Sequence, residues 1–268
     1  MKKKIALITD IHANVEALQA VLLDMKDKNI DTIYSLGDII GLGYAPSETV
    51  RLAIDNNIIN IQGNAEAYVT MGPDMFPYLK RNNIERYNNA IWTSEQLSAE
   101  ELDYINNSPV SVELVINGKK IGLCHFPLDV RYDFIGVWKY DGKNPEEFLK
   151  RNTSDDIEKY KTELYENVKI ADKNPLLFGK NIFDFDRIIY GHYHFERNHI
   201  LGNVILDSLN GTGVAITDKA IYYILENGAK LIKYEVPYDY EKVFRETEEK
   251  DFPNKDTFKK VISWRKLW

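Results

Sequence analysis

The sequence of 268 residues predicts an α/β fold built around buried parallel strands. Two observations predict it: short apolar runs recur along the chain, and helical patterns separate the first three of them. Continuous apolar runs of this length suit strands that are buried on both faces. The order strand, helix, strand implies parallel strands joined by right-handed crossovers. The runs, each ending in Gly, Asp, Asn or His, span residues 5–10, 32–38, 58–64, 120–125 and 187–192.

Helical periodicity is clearest between the first two runs. In residues 14–28, apolar side chains recur at i, i+3, i+4 and i+7, which predicts an amphipathic helix with Asn14 as its N-cap. Residues 47–56 and 88–105 are also predicted to be helical. Near the end of the chain, residues 220–225 and 230–236 flank the turn Glu226-Asn227-Gly228, which predicts a β-hairpin.

We interpret residues 1–268 as a single domain with two insertions and a tail. Residues 68–109 and 126–180 interrupt the regular pattern and are expected to form a cap beside the sheet, where loops and helices shape a substrate pocket. Residues 237–268 are expected to form a C-terminal surface tail with a helix.

Composition narrows the class of protein. No apolar run approaches the ~20 residues that cross a bilayer, and Asp10 and His12 interrupt the N-terminal apolar stretch, so we expect neither a membrane protein nor a signal peptide. The single Cys124 excludes an intrachain disulfide framework and fits a reducing cytoplasm. The formal net charge of −7 disfavours a nucleic-acid surface, because such binding depends on basic side chains.

Seven side chains of metal-ligand type stand at or just after the ends of the apolar runs. Ligands of α/β proteins gather at the carboxyl ends of parallel strands, so we expect these side chains to converge. Imidazole and carboxylate together suit Mn, Fe or Zn, with Ni or Mg as further candidates. The seven residues are Asp10, His12, Asp38, Asn64, His125, His192 and His194.

Their spacing is compatible with two ions. Asp10 and His12 are two residues apart, so they can point the same way and bind one ion. The carboxylate of Asp38 could bridge two ions at the ~3.5–4 Å separation used for in-line phosphoryl displacement.

Three ligand positions directly follow a glycine, where a tight turn would require a backbone angle that glycine adopts at low cost. These glycines are Gly37, Gly63 and Gly191.

Five motifs resemble the sequence blocks of the calcineurin-like metallophosphoesterases. The blocks DxH, GDxxG, GNx[DE], H and GHxH correspond, in order, to Asp10-Ile11-His12, Gly37-Asp38-Ile39-Ile40-Gly41, Gly63-Asn64-Ala65-Glu66, His125 and Gly191-His192-Tyr193-His194. Residues 41–46, 92–97 and 236–239 further resemble a small bacterial and archaeal phosphodiesterase subgroup. The resemblance implies a four-layer α/β/β/α sandwich of two mixed sheets flanked by helices, with helical cap insertions.

The resemblance also implies roles for individual residues. Asp10, His12, Asp38 and His194 would hold the first ion, and Asp38, Asn64, His125 and His192 the second. Hydroxide bridging the ions would attack phosphorus, because bound metal lowers the pKa of water. Asp38, Asn64 and His125 would be catalytic, and Asn64, His125 and Glu66 would contact phosphate. Glu66 is equally suited to capping a helix.

The chain departs from the family pattern at Ala65, where many relatives carry His. That His is thought to protonate the leaving group or to stabilise the transition state, and Ala can do neither. General-acid help is worth about 10²–10⁴-fold. The expected substrate is therefore a small phosphodiester, nucleotide or phosphoanhydride with a good leaving group.

The leading interpretation is a dinuclear metal-dependent phosphoesterase. A protein phosphatase and a dinucleoside polyphosphate hydrolase are variants of it. A non-catalytic metal-binding scaffold or regulator is the alternative from another class, because Ala65 replaces a catalytic group. A DNA nuclease is disfavoured by the acidic net charge. The sequence leaves open whether the protein forms a homo-oligomer.

Overall fold

Two five-stranded sheets form the centre of the structure, a computed structural model that describes residues 4–126, 176–177, 180–181, 184–201, 203–214 and 218–263. The strands are β1 (Lys4–Ile8), β2 (Thr32–Ser35), β3 (Ile59–Asn60), β4 (Ser111–Ile116), β5 (Lys119–Cys124), β6 (Leu176–Leu177), β7 (Lys180–Asn181), β8 (Arg187–Tyr190), β9 (Arg197–Leu201), β10 (Val204–Ser208), β11 (Lys219–Glu226) and β12 (Lys230–Pro237). The helices are α1 (Val15–Met25), α2 (Pro46–Asp55), α3 (Asn64–Thr70), α4 (Pro77–Asn82), α5 (Ile84–Gln96), α6 (Ala99–Asn106), α7 (Tyr240–Glu249) and α8 (Lys255–Ser263), with a 3₁₀ turn at Pro73–Met75.

Both large sheets combine parallel and antiparallel pairs. The first has the order β12-β11-β1-β2-β3, in which β1, β2 and β3 are parallel and the β11–β12 hairpin is antiparallel to β1. The second has the order β4-β5-β8-β10-β9, with β5, β8 and β10 parallel and an antiparallel strand at each edge. Strands β6 and β7 pair with each other. The predicted parallel strands and the predicted hairpin are confirmed.

The sheets pack face to face, and helices cover the outer face of the first sheet. Ile5 and Leu7 of β1 belong to an apolar core shared with Leu123 and Ile189 of the second sheet. The alternate residues of β1 pack in a separate core with helices α1 and α2. Because both faces of β1 are buried from Ile5 to Ile8, this part of its sequence is continuously apolar instead of alternating. The predicted sandwich of two mixed sheets flanked by helices is confirmed.

Helix α1 begins and packs as its sequence predicts. The side chain of Asn14 accepts a hydrogen bond from the Ala17 amide at 3.1 Å, so Asn14 is the N-cap. The predicted helix at residues 88–105 is two helices, α5 and α6. Ser98 separates them, because its hydroxyl and Glu101 form a reciprocal capping box that starts a new helix.

Residues after Pro237, expected as a surface tail with one helix, form two helices that pack on the domain. Val243 and Phe258 are fully buried, in a core shared with Tyr44. The Phe258 ring meets Tyr44 edge-on, with their centroids 6.2 Å apart. The expectation of a surface tail was wrong, because the apolar positions of these helices complete a core that the short sequence pattern did not reveal.

The two expected insertions are only partly described. Residues 68–109 form the end of α3, the 3₁₀ turn, and helices α4, α5 and α6 with their connecting loops. Of residues 126–180, only Phe126 and the residues of β6 and β7 belong to the described part, so the cap expected there lies outside it. No helix within the described ranges has both the length and the apolar character needed to cross a bilayer.

Shortening a side chain in the C-terminal core tests whether α7 and α8 are integral to the fold. We expect Phe258→Ala to lower the free energy of unfolding by about 3–5 kcal/mol, because it leaves a cavity at a fully buried position. Leu23→Ala, at a residue that is 66% exposed, is the control and should change it by less than about 0.5 kcal/mol. Urea unfolding measures both. Equal, small effects would show that the C-terminal helices contribute little stability.

Candidate metal centre

The loops that follow the parallel strands are joined by backbone hydrogen bonds. The amides of Asp10 and His12 donate to the carbonyls of Gly37 and Asp38, at 3.0 and 2.9 Å. In the second sheet, the Gly191 amide donates to the His125 carbonyl at 3.0 Å. The two sets of loops are joined to each other where the His192 amide donates to Asp10 Oδ2 at 2.9 Å. The loops from both sheets therefore meet at one rim of the sandwich, as the topology predicts.

Five of the seven predicted ligands have a positive backbone φ, although none is glycine. An L-residue in this region costs of order 1–3 kcal/mol and persists only where the surrounding structure enforces it. Such strain concentrates at functional sites. The φ angles are 50° at Asp10, 51° at His12, 52° at Asp38, 75° at His192 and 60° at His194.

Glycines precede these positions for two different reasons. Gly37 has φ +100°, the conformation predicted for it. Gly191 does not have a positive φ; it is required by close approach, because a Cβ there would lie 2.0 Å from the Thr9 hydroxyl oxygen and 2.7 Å from Asp10 Oδ2. The backbone-angle explanation is therefore wrong for Gly191. It is also wrong for Gly63, whose φ is −97° and where a Cβ would lie 2.4 Å from Asp38 Oδ1.

One group of predicted ligands comprises Asp10, His12 and His194. His194 Nε2 lies 3.1 Å from His12 Nε2 and 3.3 Å from Asp10 Oδ1. One ligand atom from each of the three residues lies within 4.8 Å of the others. The three side chains can therefore contact a single ion. The His194 side chain is 26% exposed, so this group faces the open side of the site.

A second group comprises Asn64, His125 and His192. The Asn64 amide lies 3.1 Å from His125 Nε2 and 3.0 Å from His192 Nδ1 when its oxygen points inward. The two imidazole nitrogens are 3.0 Å apart. Amide oxygen and imidazole nitrogen thus converge on one point.

Asp38 lies between the two groups. Its Oδ2 atom is 3.7 Å from His12 Nε2 in the first group and 3.6 Å from His125 Nε2 in the second. Its Oδ1 atom accepts a hydrogen bond from the Ala65 amide at 2.8 Å, which fixes the carboxylate. A single oxygen of Asp38 therefore faces both groups.

The spacing of these atoms fits metal coordination. Ligand atoms about 2.0–2.2 Å from one ion, at angles of roughly 90–109°, are about 2.8–3.6 Å from one another. The separations of 3.0–3.3 Å within the two groups fall inside that range. The separation of 3.6 Å between Asp38 Oδ2 and His125 Nε2 lies at its upper end, and the separation of 3.7 Å between Asp38 Oδ2 and His12 Nε2 lies just beyond it.

Backbone carbonyls set the tautomers of two histidines. His125 Nδ1 lies 2.9 Å from the Leu36 carbonyl oxygen, and His12 Nδ1 lies 3.3 Å from the Ile40 carbonyl oxygen. Because a carbonyl only accepts, each Nδ1 carries the hydrogen and donates it. The Nε2 lone pairs are left pointing into the site, which is the arrangement that outer hydrogen bonds impose on metal-binding histidines.

Buried charge at the site calls for a cation. Asp10 and Asp38 are 0% and 1% exposed, and among the described residues no hydrogen bond reaches Asp10 Oδ1. Burial raises the pKa of Asp10, but the charge of His194 and its neighbours outweighs this and holds that pKa below its usual value. Burial raises the pKa of Asp38, so this carboxylate needs nearby positive charge to stay ionised.

Two histidines are held in the neutral form that binds metal. Burial, reinforced by the charge of His194, lowers the pKa of His12 well below its usual value. Burial also lowers the pKa of His192 well below its usual value. Burial would lower the pKa of His125 too, but the charges of Asp38, Asp10 and Glu66 outweigh it and raise that pKa. Neutral imidazole is the form that coordinates an ion. The donor set and its spacing therefore fit bound metal.

Glu66 lies beneath the site and does not face substrate. Its side chain is fully buried, and its carboxylate accepts hydrogen bonds from the backbone amides of Gly63, Asp38 and Ile39 at 2.7, 2.9 and 2.8 Å. The phosphate contact expected of Glu66 is therefore corrected, because backbone donors occupy both carboxylate oxygens. Glu66 caps α3 and braces the loop that carries Asp38.

One residue near the site had not been predicted. Arg86 of α5 is half-buried, and one of its terminal nitrogens lies 2.8 Å from the side-chain amide of Asn64. A sequence signal for it exists: positions 86, 89, 90 and 93 have i, i+3, i+4 and i+7 spacing, and positions 89, 90 and 93 are buried. An arginine on a helix face that is otherwise buried is a candidate for function.

The chain belongs to the calcineurin-like phosphoesterase family, whose sequence profile matches residues 3–196. The family is one of metal-dependent phosphoric ester hydrolases. The matched residues include all five motifs described above, and the resemblance inferred from them is confirmed.

Two solved structures share the fold, and one further protein is similar in sequence. A metallophosphoesterase from Sphaerobacter thermophilus aligns with a TM-score of 0.62 at 22% identity, over 99% of this chain and 100% of that chain. A hypothetical protein from Pyrococcus horikoshii OT3 aligns with a TM-score of 0.67 at 19% identity, over 97% of both chains. An uncharacterised protein of Methanocaldococcus jannaschii is 37% identical over 125 residues, which are 47% of this chain and 50% of that protein. The latter match thus spans half of the relative's length.

Removing the negative charge of Glu66 tests its bracing role. We expect Glu66→Gln to lower the free energy of unfolding by about 1–3 kcal/mol. The glutamine NH₂ group would replace one carboxylate oxygen, so any buried backbone amide that donates to that oxygen would lose its acceptor. Glu95→Gln, at an exposed position of α5, should change it by less than about 0.5 kcal/mol. Both are measured by urea unfolding. A Glu66→Gln protein of unchanged stability would refute the bracing role.

Proposed function

We propose that the protein is a dinuclear metal-dependent phosphoesterase that hydrolyses a small phosphodiester, nucleotide or phosphoanhydride. The observation that carries the proposal is the position of Asp38, one oxygen of which faces His12 at 3.7 Å and His125 at 3.6 Å. A carboxylate oxygen placed between two ligand groups can be shared by two neighbouring ions, which is the geometry that a two-metal site can use. Membership of the calcineurin-like phosphoesterase family supports the same chemistry.

Each predicted ligand has a place in this proposal. Bound ions would activate water and neutralise the charge of phosphate oxygens. Mn, Fe and Zn suit these N and O donors best, with Ni and Mg as further candidates. Asp10, His12, Asp38 and His194 would hold one ion, and Asp38, Asn64, His125 and His192 the other.

The chain's own residues would bind and orient the substrate. The inward lone pairs of His12 and His125 are fixed by backbone carbonyls, so the imidazoles need little rearrangement when the site is loaded. The exposed edge at His194 gives a phosphorylated molecule access to the site. Asn64 and His125 lie where they could also contact its phosphate.

Ala65 restricts the substrate. Its methyl group can neither donate nor accept a proton, and its backbone amide is used by Asp38. Without an acid at this position, a poor leaving group would forgo about 10²–10⁴-fold of rate. We therefore propose diesters and anhydrides with good leaving groups over alkyl monoesters.

The test is hydrolysis of bis(p-nitrophenyl) phosphate by protein loaded in turn with Mn²⁺, Fe²⁺ and Zn²⁺. We expect turnover with at least one metal, and a loss of at least about 100-fold in Asp38→Asn, because Asn keeps an acceptor for the Ala65 amide but replaces the shared anionic oxygen. The metal content of Asp38→Asn, measured by mass spectrometry, should be lower than two ions per chain. Asp103→Asn, on the exposed side of α6, is the control and should match the wild type in both measurements.

The same assay separates the remaining alternatives. A non-catalytic metal-binding scaffold would contain bound metal yet hydrolyse no diester, anhydride or monoester with any of the three metals, and that outcome would refute the enzyme proposal. A panel containing a dinucleoside polyphosphate and a phosphopeptide distinguishes the two substrate variants.

A further inference from the structure

We infer that Arg86 is a substrate-binding residue of this site. Its guanidinium group and the side-chain amide of Asn64 together donate hydrogen bonds to a non-bridging phosphate oxygen. The inference rests on the proposed function, because it concerns the phosphate group of the same substrate. It assigns an active-site role to helix α5, which carries none of the five family motifs.

Helix α5 is fixed against the metal centre. The Asn89 side chain accepts a hydrogen bond from the Leu42 amide at 3.0 Å and donates one to the Pro253 carbonyl at 2.9 Å. The helix is thereby tied to the loop after Asp38 and to the segment between α7 and α8. Arg86 stands three residues before Asn89, so it lies on the same face, one turn nearer the start of the helix.

The guanidinium group of Arg86 is held over an aromatic ring. Its central carbon lies 5.4 Å from the centroid of Tyr68, which is fully buried in α3. A cation over an aromatic face is stabilised by the ring quadrupole. Together with His12 and Ala65, Arg86 and Tyr68 line a small cavity beside the ligand groups. Arg86 therefore borders the position where many relatives carry His and this chain carries Ala65.

The amide of Asn64 has two orientations, and only one is compatible with metal. If its NH₂ group points inward, it donates to Asp38 Oδ2, His125 Nε2 and His192 Nδ1 at 3.2, 3.1 and 3.0 Å, while its oxygen accepts from Arg86 at 2.8 Å. An NH₂ group cannot ligate an ion. A bound ion therefore requires the opposite orientation, with the oxygen inward.

With the Asn64 oxygen inward, two donors face each other at the outer side of the site. The NH₂ group of Asn64 then stands 2.8 Å from a terminal nitrogen of Arg86. Neither group can accept a hydrogen bond. A phosphate oxygen lying beside the two nitrogens, within hydrogen-bond distance of each, would accept from both, and hydrogen bonds from a charged donor to an anion are stronger than those between neutral groups. Metal loading thus converts the Asn64–Arg86 contact into an anion-binding pair.

Arg86 can supply positive charge and hydrogen bonds to the phosphate, but it cannot supply a proton to the leaving group. A guanidinium group is always protonated in proteins, so it cannot supply the proton that His would supply at position 65. Arg86 would therefore bind phosphate and stabilise its charge without assisting the leaving group. Its removal should weaken catalysis by the same factor for good and poor leaving groups.

Binding of inorganic phosphate to the metal-loaded protein tests the inference without relying on turnover. We expect Arg86→Met, which keeps the side-chain stem over Tyr68, to raise the Kd of phosphate about 10- to 150-fold, the equivalent of one charged hydrogen bond. Arg86→Lys should have a smaller effect, because lysine keeps the charge and loses the planar fork. Arg81→Met removes an exposed arginine from the neighbouring helix and should leave the Kd unchanged. Calorimetry measures Kd, and mass spectrometry should find the same metal content in all four proteins.

The outcomes separate this inference from the proposed function. Unchanged phosphate binding in Arg86→Met, with full metal content, would overturn the inference even if the wild type hydrolyses diesters. Loss of metal from Arg86→Met would also overturn it, because Arg86 would then act through a ligand. Suppose instead that the wild type hydrolyses no ester and still binds phosphate more tightly than Arg86→Met does. That result would refute the proposed hydrolase function but support the inference that Arg86 and Asn64 bind phosphate. A kcat/KM loss that grows with the pKa of the leaving group would contradict the assignment to a non-bridging oxygen.

Discussion

Asp38 is the residue on which the geometry of the site depends. Its backbone amide donates to Glu66, its carbonyl accepts from the His12 amide, and its Oδ1 accepts from the Ala65 amide. Only Oδ2 is left to face the two ligand groups. Because every other polar atom of Asp38 is engaged by the protein, the remaining oxygen has a defined position between the groups.

The two sheets contribute different predicted ligands, so these side chains come together only when the sheets pack against each other. Asp10, Asp38 and Asn64 follow strands of the first sheet, whereas His125 and His192 follow strands of the second. The shared apolar core between the sheets holds the two rims in register. Five ligand positions adopt unfavourable positive φ angles, and the free energy that this costs is offset by burial in the sandwich. Stability of the fold and formation of the site are therefore coupled.

The sequence predicted the parts of the site that are local to the strand ends. An apolar run followed by Asp, Asn or His specifies both the strand and the ligand type, which is why residues such as Asp10 and His125 were identified without coordinates. It did not predict Arg86, whose position depends on how α5 packs across the rim, or the burial of Phe258. The role of Glu66 was also undetermined, because a motif gives the identity of a carboxylate but not the backbone amides that fold around it.

Anomalous diffraction from crystals of the Mn²⁺-loaded protein tests the central claim most directly. Two peaks are predicted, about 3.5–4 Å apart, one beside His12 and His194 and the other beside His125 and His192, with the Asp38 carboxylate contacting both. The Asn64 oxygen should point at the second peak. A single peak, or a pair of peaks that Asp38 does not bridge, in protein that hydrolyses a phosphodiester would contradict the account.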